Sequence, residues 1–239
     1  YTFKSIKSLK EFIEILKKKF PQIYVNITVI DIGSKESDRK KISNFFEGSN
    51  FKFIKLDKNN LNFKPRVINK NNKEIENNMS STMASIHESF VQAKSCKDLI
   101  YFVEDDYLHK PEALTEMVFA YEKFATVFKK DIFLLSTDYP YLYKKLNFSN
   151  ILTGEKYHWR TVAESLLTFL TSRDLLLKYY DRLLDMAKNE SNPFEKNLHD
   201  IYKNEICLSP VPTLSIHCTN VNSVFGLSPN TNIKKLWDD

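Results

Sequence analysis

Glycine is scarce in this chain of 239 residues, with only Gly33, Gly48, Gly154 and Gly226. Dinucleotide-binding, P-loop and serine-hydrolase sites all need closely spaced glycines, because the backbone must approach a phosphate or turn sharply under a nucleophile. No GxGxxG, GxxxxGK or GxSxG motif can be written with these four glycines. The usual signatures of those three classes of site are therefore absent.

Cysteines and long apolar runs are also few. Cys96, Cys207 and Cys218 are odd in number and lack CxxC spacing, which argues against a disulfide framework or a zinc cluster and favours a reducing compartment. No run approaches the roughly 18–20 apolar residues that a transmembrane helix needs. No signal peptide is visible, although the chain starts at Tyr1 without Met and leaves room for an upstream segment. We expect a cytoplasmic protein.

The charge balance is mildly basic, with 35 Lys and Arg against 30 Asp and Glu and a net charge of +5. This excess is small and dispersed along the chain, so we expect no nucleic-acid partner. A basic surface favours phosphorylated ligands or peripheral contact with an anionic membrane surface. The second possibility places the protein at the cytoplasmic membrane face.

Helical and strand patterns alternate through the first 138 residues. Helical periodicity covers residues 8–20, with Ser8 as a plausible N-cap, and then 35–46, 80–95 and 110–128. Strand patterns cover residues 23–34, 51–57, 98–106 and 131–138, and a polar loop is expected over 58–78. This order predicts an α/β fold with a mostly parallel central sheet flanked by helices. Ligands of such sheets bind beyond the carboxyl ends of the strands.

Three adjacent carboxylates, Glu104, Asp105 and Asp106, follow the apolar run in "LIYFVEDD". Adjacent carboxylates repel each other unless a cation compensates their charge. Mg²⁺ and Mn²⁺ take oxygen ligands and keep positions open for substrate phosphates. The strand period of two would direct Glu104 and Asp106 to one side, so the pattern favours a divalent-metal site. The alternative is an acidic loop with ordinary solvated charges.

The segments "ITVIDIGS", "SSTMASIHESFVQA" and "LIYFVEDDYLHKPEAL" resemble, in this order, the nucleotide-sugar-binding half of a GT-A fold glycosyltransferase, a Rossmann-like nucleotide-diphospho-sugar transferase fold. The resemblance covers roughly residues 5–138 and implies a single catalytic domain over 1–239. In that domain, residues 1–138 would bind the nucleotide-sugar and metal, and residues 139–239 the acceptor. The family's first strand should precede Ser8, and it either lies upstream of Tyr1 or is missing.

The resemblance also implies roles for residues. Asp31 and Ser34, in the Asp-X-Gly-Ser segment, would contact the nucleoside. The acidic segment would be the family's DXD-type motif, so Glu104, Asp105 and Asp106 would contact the donor and its metal ion. This motif begins here with Glu rather than Asp, a departure that many relatives of the fold tolerate.

The second half of the chain offers further binding residues. The segment "SPVPTLSIH" is similar to the GT-A pattern in which a short strand ends in a histidine that completes the metal shell, which makes His217 a candidate ligand. Buried structural histidine is the equal alternative. Arg160 is a candidate partner for a diphosphate oxygen, and the aromatic run 157–159 either stacks on a sugar or packs in the core.

An inverting transferase needs a general base for the acceptor hydroxyl. The resemblance points to an acidic helix start in the second half, where Glu195 fits best, followed by Asp200 and Glu164. A retaining enzyme needs no such base, and the sequence does not decide between the two outcomes.

Taken together, these features predict a metal-dependent glycosyltransferase of the kind used in polysaccharide biosynthesis. Its donor would be a nucleoside-diphosphate sugar, with a UDP-sugar as the first expectation, and its acceptor a glycan or lipid-linked molecule. Two alternatives stay open. One is a nucleotidyltransferase acting on sugar phosphates, although no Gly-rich basic phosphate loop is visible, and the other is a catalytically inactive glycan-binding module.

Overall fold

The computed structural model describes residues 1–57, 79–189, 193–220 and 227–238, and it confirms the α/β class. The helices in these ranges are α1 Thr2–Lys19, α2 Glu36–Phe45, α3 Met79–Ala93, α4 Ala113–Phe128, α5 Arg173–Lys178, α6 Tyr180–Lys188, α7 Lys196–Tyr202 and α8 Ile233–Asp238. The strands are β1 Ile27–Ile32, β2 Phe51–Leu56, β3 Leu99–Phe102, β4 Tyr107–His109, β5 Phe133–Leu135, β6 Ile151–Thr153, β7 His158–Thr161, β8 Phe169–Ser172, β9 Cys207–Val211 and β10 Ser215–His217. The predicted polar loop at 58–78 lies outside the described residues.

The chain forms two compact units, each assembled from segments that are separated along the sequence. The first unit contains Tyr1–Val25, Tyr101–Ser172 and Tyr202–Asp239, and the second contains Asn26–Ile100 and Arg173–Ile201. These units do not follow the expected division near residue 138. The expected single catalytic domain stays a prediction.

The larger sheet has the strand order β3-β8-β5-β9-β7-β6. Strand β5 runs parallel to β9 and antiparallel to β8, while β7 runs antiparallel to both β9 and β6. The sheet is therefore mixed, and the predicted mostly parallel central sheet is not shown. Parallel pairing also joins β1 to β2 in a separate two-stranded sheet.

The core of the first unit lies around β5, where Phe133, Leu134 and Leu135 are fully buried. The Phe133 ring lies 5.8 Å from that of Phe169 on β8. Helix α4 contributes a buried face that includes Met117 and Ala120, which are three residues apart and so lie on the same side of the helix. Close packing around this short strand fixes the carboxyl end of β5, where polar residues begin.

Helix α1 starts earlier than predicted, and Ser8 is not its N-cap. The backbone carbonyl of Tyr1 accepts from the amides of Lys4 and Ser5, so the helix is already formed before Ser8. Inside the helix, the Ser8 hydroxyl donates to the Ser5 carbonyl at 2.8 Å and accepts from the backbone amide of His109 at 3.2 Å. The serine joins α1 to β4 rather than beginning the helix.

The second unit confirms the predicted β1, α2, β2 and α3, with ends that differ by a few residues. Strands β1 and β2 pair in parallel over six residue pairs from Ile27 with Phe51 to Ile32 with Leu56. Gly33 follows β1 with a φ of 91°, a left-handed conformation that suits glycine and turns the chain out of the strand. On α3, Met83, Phe90 and Ala93 are buried, and Ile86 is partly buried.

Strand β4 was not predicted. The sequence pattern placed one strand through residues 98–106, whereas β3 ends at Phe102 and a turn separates it from β4. The residues of β3 are only partly buried, apart from Ile100. Strand β4 is buried throughout and pairs with β10, which lies far away in the sequence. Within the described residues, the helices are too short or too polar to cross a membrane.

Candidate functional site

Two short strands of the first unit bring the acidic segment beside the predicted histidine. Strand β4 pairs antiparallel with β10, with Tyr107 opposite His217. The amide of Cys218 donates to the carbonyl of Asp106 at 2.8 Å, which extends the pairing by one residue. Asp106 and His217 therefore lie together at the end of this two-stranded sheet.

The side chains of Asp106 and His217 meet directly. Oδ2 of Asp106 lies 2.9 Å from Nε2 of His217, with 21% and 13% of the two side chains exposed. The imidazole stacks on the ring of Tyr107, with 4.6 Å between centroids and 16° between planes. The Thr219 hydroxyl lies 2.9 Å from the same Nε2. The Tyr107 ring and the Thr219 hydroxyl thus fix the imidazole of His217, and the Asp106–His217 pair stays partly exposed to solvent.

The Tyr107 side chain anchors this arrangement in the core. Its hydroxyl lies 2.7 Å from the hydroxyl of Tyr139, and both rings are fully buried. Burial raises the pKa of each phenol well above its ordinary value, and the nearby charge of Glu104 adds to both shifts. Both tyrosines therefore stay neutral, so their hydroxyls can each donate and accept one hydrogen bond.

Glu104 and Asp105 take different directions from Asp106. The amide of Glu104 donates to the Thr168 hydroxyl at 3.1 Å, and that hydroxyl lies 3.4 Å from the Glu104 carboxylate. The exposed Asp105 carboxylate accepts from the Thr2 hydroxyl at 2.7 Å. Because β3 ends before these residues, the strand alternation expected for them does not apply. The predicted metal role of Glu104 stays a prediction.

The donor set of Asp106 and His217 fits a divalent cation. Two neighbouring ligands of an octahedral ion, each about 2.1 Å from it, lie about 3.0 Å apart. The observed 2.9 Å between Oδ2 and Nε2 equals this separation, and it is also the length of a hydrogen bond from Nε2–H to Oδ2. Among the described residues, no group of three His, Cys, Asp or Glu side chains converges on one point. A site with two protein ligands leaves positions for phosphate oxygens and water, as is usual for Mg²⁺.

Arg160 lies beside a buried carboxylate that the sequence analysis did not single out. Its Nη2 and Nε donate to Oδ1 of Asp138 at 2.9 and 3.2 Å. The other carboxylate oxygen accepts from Tyr143 at 2.7 Å and from Ser228 at 3.0 Å. The guanidinium also lies over the Tyr143 ring, 4.4 Å from its centroid. Asp138 follows a buried strand, the same signal that drew attention to Asp31 and Asp106.

A small cavity extends from Asp138 to His217. Its volume is about 20 Å³, and hydroxyl groups of Thr137, Thr213 and Ser215 line part of its wall. This is the room of a single water molecule, so the cavity does not admit a sugar or a nucleotide. A ligand of Asp106 and His217 would have to bind on their solvent side.

The predicted nucleoside residues form a cluster of their own in the second unit. The Asp31 carboxylate accepts a hydrogen bond from Ser34 and another from Nε of Arg39 at 2.7 Å. Both Asp31 and Arg39 are largely buried. A pocket of about 370 Å³ at the carboxyl end of β1 and β2 is lined by Gly33, Arg39 and 55–57. The sequence-predicted pair is therefore brought together, with Arg39 as a member that the sequence did not reveal.

The three candidates for the base are spread over the chain. Glu164 is exposed in the segment between β7 and β8. Glu195 immediately precedes α7, and its carbonyl accepts from the amide of His199. Asp200 lies on α7, 3.3 Å from Nζ of Lys196. These contacts are those of ordinary helix and surface residues, and the base stays a prediction.

The aromatic run at β7 divides between core and surface. Trp159 is fully buried, with its ring 6.4 Å from that of Phe124 on α4, so it packs in the core and does not stack on a sugar. The Tyr157 hydroxyl donates to Glu112 at 2.6 Å. His158 is exposed.

No protein-family model matches the sequence, and no match was found among curated proteins. The resemblance to GT-A glycosyltransferases therefore depends on the quoted segments alone.

Proposed function

We propose that this protein is a metal-dependent glycosyltransferase with a GT-A-like fold. It would transfer a sugar from a nucleoside-diphosphate donor, with a UDP-sugar as the first candidate, to a glycan or lipid-linked acceptor. The observation that carries the proposal is the 2.9 Å approach of Asp106 to His217. Both were candidate metal ligands from sequence, although they belong to segments far apart in the chain.

Asp106 and His217 would hold Mn²⁺ or Mg²⁺ between them. The ion would neutralise the negative charge that builds up on the leaving diphosphate. Glu104 and Asp105, which flank the site, would contribute to donor binding. Their present hydrogen bonds, to Thr168 and Thr2, are with neutral hydroxyls that a metal-bound water or a sugar hydroxyl could replace.

Asp31 and Ser34 would contact the nucleoside. The proposal is supported by their position at the carboxyl end of β1, where ligands of α/β sheets bind, and by the adjacent pocket. Arg39 fixes the Asp31 carboxylate, whose oxygens would accept hydrogen bonds from ribose hydroxyls. Arg160 has weaker support as a diphosphate ligand, because Asp138 already neutralises it. Glu195 remains the first candidate for the base, before Asp200 and Glu164.

The test is calorimetric titration of a panel of nucleoside diphosphates with and without Mn²⁺. We expect one diphosphate to bind in the presence of Mn²⁺ and to lose that binding in EDTA. Asp106→Asn and His217→Gln should each weaken Mn²⁺-dependent binding by at least about tenfold, since loss of even an outer partner of a metal ligand costs 10–100-fold. Asp174→Asn removes an exposed carboxylate elsewhere and is the matched control.

The other outcomes separate the alternatives. Binding of no diphosphate by the folded protein, or equal binding by wild type and Asp106→Asn, would contradict the proposal. Sugar binding that survives EDTA would favour the inactive glycan-binding module. Release of pyrophosphate from a nucleoside triphosphate and a sugar phosphate would favour the nucleotidyltransferase.

A further inference from the structure

An exposed apolar tip projects from the first unit between β5 and β7. Leu146 and Phe148 have relative exposures of 106% and 109%, so neither side chain is covered by the part of the chain that the structure describes. Tyr143 before them and Ile151 after them are 54% and 70% exposed. Leu and Phe side chains are among those most often buried, so this concentration within nine residues needs a physical explanation. We call residues 143–151 the apolar tip.

Both ends of the apolar tip are fixed to the core. On one side, a 3-10 helix, Pro140–Lys144, buries Pro140 and Leu142. On the other side, the Ser149 hydroxyl donates to the carbonyl of Thr161 at 2.7 Å, and the amide of Thr161 donates to the carbonyl of Asn150 at 3.0 Å. The exposed side chains are therefore presented on an anchored segment.

The surroundings of the tip are basic. No Asp or Glu occurs between Tyr139 and Gly154, while Lys144 and Lys145 are adjacent and exposed. The nearest acidic groups on either side have partners within the protein. Asp138 is buried against Arg160, and the Glu155 carboxylate lies 3.1 Å from Nζ of Lys19. The tip thus combines two fully exposed apolar side chains with two adjacent exposed lysines, in a segment whose sequence contains no acidic residue.

We propose that the apolar tip inserts into the interface of a bilayer that contains anionic phospholipids. Leu146 and Phe148 enter the boundary between headgroups and acyl chains, while Lys144 and Lys145 bind lipid phosphates. Apolar and aromatic side chains flanked by lysines are the combination that holds peripheral proteins at such surfaces. A bilayer accepts a narrow projecting tip, because lipids rearrange around it.

A second protein chain is the less suitable partner. A stable protein interface usually buries about 800 Å² on each side, over a surface that matches the partner in shape. The aromatic side chains Tyr143 and Phe148 would bury about 150–250 Å² each only if they were covered completely, and Leu146 and Ile151 are smaller. Because Tyr143 and Ile151 are already partly buried, the area that a protein partner could cover is smaller still. The adjacent lysines also favour an anionic surface over a second copy of this basic chain.

Co-sedimentation with vesicles tests the proposal without any nucleotide, so its outcome is independent of the donor site. Wild-type protein should bind vesicles of phosphatidylcholine with phosphatidylserine more tightly than phosphatidylcholine alone, and salt should weaken the binding. The double variant Leu146→Ser with Phe148→Ser should bind at least about tenfold more weakly. Lys144→Gln and Lys145→Gln should each weaken binding about fivefold.

Matched controls come from other exposed positions. Val127→Ser with Tyr24→Ser removes two exposed apolar side chains outside the tip, and Lys35→Gln with Lys40→Gln removes two exposed lysines. Both controls should bind vesicles like the wild type. Phe148→Trp should add fluorescence that shifts to the blue on binding and is quenched by brominated lipid.

Equal vesicle binding by the wild type and the Leu146→Ser, Phe148→Ser variant would overturn the proposal, as would no binding at all. Circular dichroism and thermal unfolding establish that each variant is folded. Sedimentation velocity gives the remaining outcome. The wild type could self-associate while the Leu146→Ser, Phe148→Ser variant is monomeric and neither protein binds vesicles. That result would show that the tip is a dimer interface and that the proposal is wrong.

Discussion

Lowering the pH from 7 to 5 should destabilise this protein through His109, a buried residue of β4. Its Nε2 lies 2.7 Å from the Tyr101 hydroxyl, and its Nδ1 is buried. The ring also meets Phe12 of α1, with 5.0 Å between centroids. Burial lowers the pKa of His109 from its ordinary 6.5 to about 3. The described contacts of the ring include no carboxylate that would favour the charged form.

The size of the effect follows from these two pKa values. Below pH 6.5 the unfolded chain binds a proton at His109, whereas the folded protein stays neutral there until about pH 3. Stability from this group is therefore complete above pH 6.5 and is lost as the pH falls. At pH 5 the loss is about 2 kcal/mol, and it grows by about 1.4 kcal/mol per further pH unit.

Urea unfolding at pH 7, 6 and 5 measures this loss when wild type is compared with His109→Gln. The glutamine amide can still bond to Tyr101 but does not titrate. The variant is expected to be less stable at pH 7, yet the wild type should lose about 2 kcal/mol more than the variant between pH 7 and 5. His87, whose pKa partial burial also lowers, is present in both proteins and cancels. Parallel losses in the two proteins would refute the reasoning.

Three further changes test the packing of the first unit and the thiols. Gly154→Ala should lower the free energy of unfolding by about 1–3 kcal/mol in urea unfolding, since its new Cβ would lie 2.7 Å from Nε1 of the buried Trp159. Asp138→Ala should cost about 3 kcal/mol or more in urea unfolding, because Arg160 loses its buried partner. A thiol reagent should label only Cys96 in the native protein, because the thiols of Cys207 and Cys218 are buried. In urea it should label all three cysteines. Rapid labelling of a second thiol in the native protein would contradict these positions.

Local patterns were enough to predict many elements of the fold. The periodicity of apolar residues indicated α2, α3, α4, β1, β2 and β5 close to their observed bounds. The start of α1 was missed because serine is a common N-cap residue. Ser8 inside the helix differs from an N-cap serine in the hydrogen-bond partner that its hydroxyl finds far away in the sequence. Here that partner is the backbone of His109, which sequence patterns do not reveal.

Pairing between distant strands was harder to predict. Strand β4 has only three residues and follows β3 after a turn of four residues, so the sequence pattern does not separate the two strands. The mixed direction of the larger sheet depends on β7 and β8, whose antiparallel pairings no local signal specified. Alternating helices and strands suggested parallel pairing, and this applies to β1 with β2 and β5 with β9.

In the candidate site, too, the sequence predicted residues from their local chemistry but not the contacts that depend on pairing between distant strands. Residue chemistry singled out Asp106 and His217 separately, but their contact depends on the register of β4 with β10. Asp138 carried a usable signal, an acidic residue at the end of a buried strand, which was not followed. The contact of Arg39 with Asp31 could not be predicted in this way, since an arginine on an amphipathic surface helix is usually solvated.

The register of β4 and β10 is therefore the physical property on which the proposed metal site depends. A slip of one residue would turn His217 to the opposite face of its strand and away from Asp106. Three residue pairs alone would specify this register weakly. It is reinforced at both ends by backbone hydrogen bonds, from Cys218 to Asp106 at 2.8 Å and from Lys110 to Leu214 at 2.9 Å. The buried bond between Tyr107 and Tyr139 adds a side-chain anchor that a slipped strand would have to break, leaving two buried hydroxyls unsatisfied. The proposed site is thus built on rigid core elements, which is the condition for holding two ligand atoms at a metal-compatible separation before any ion binds.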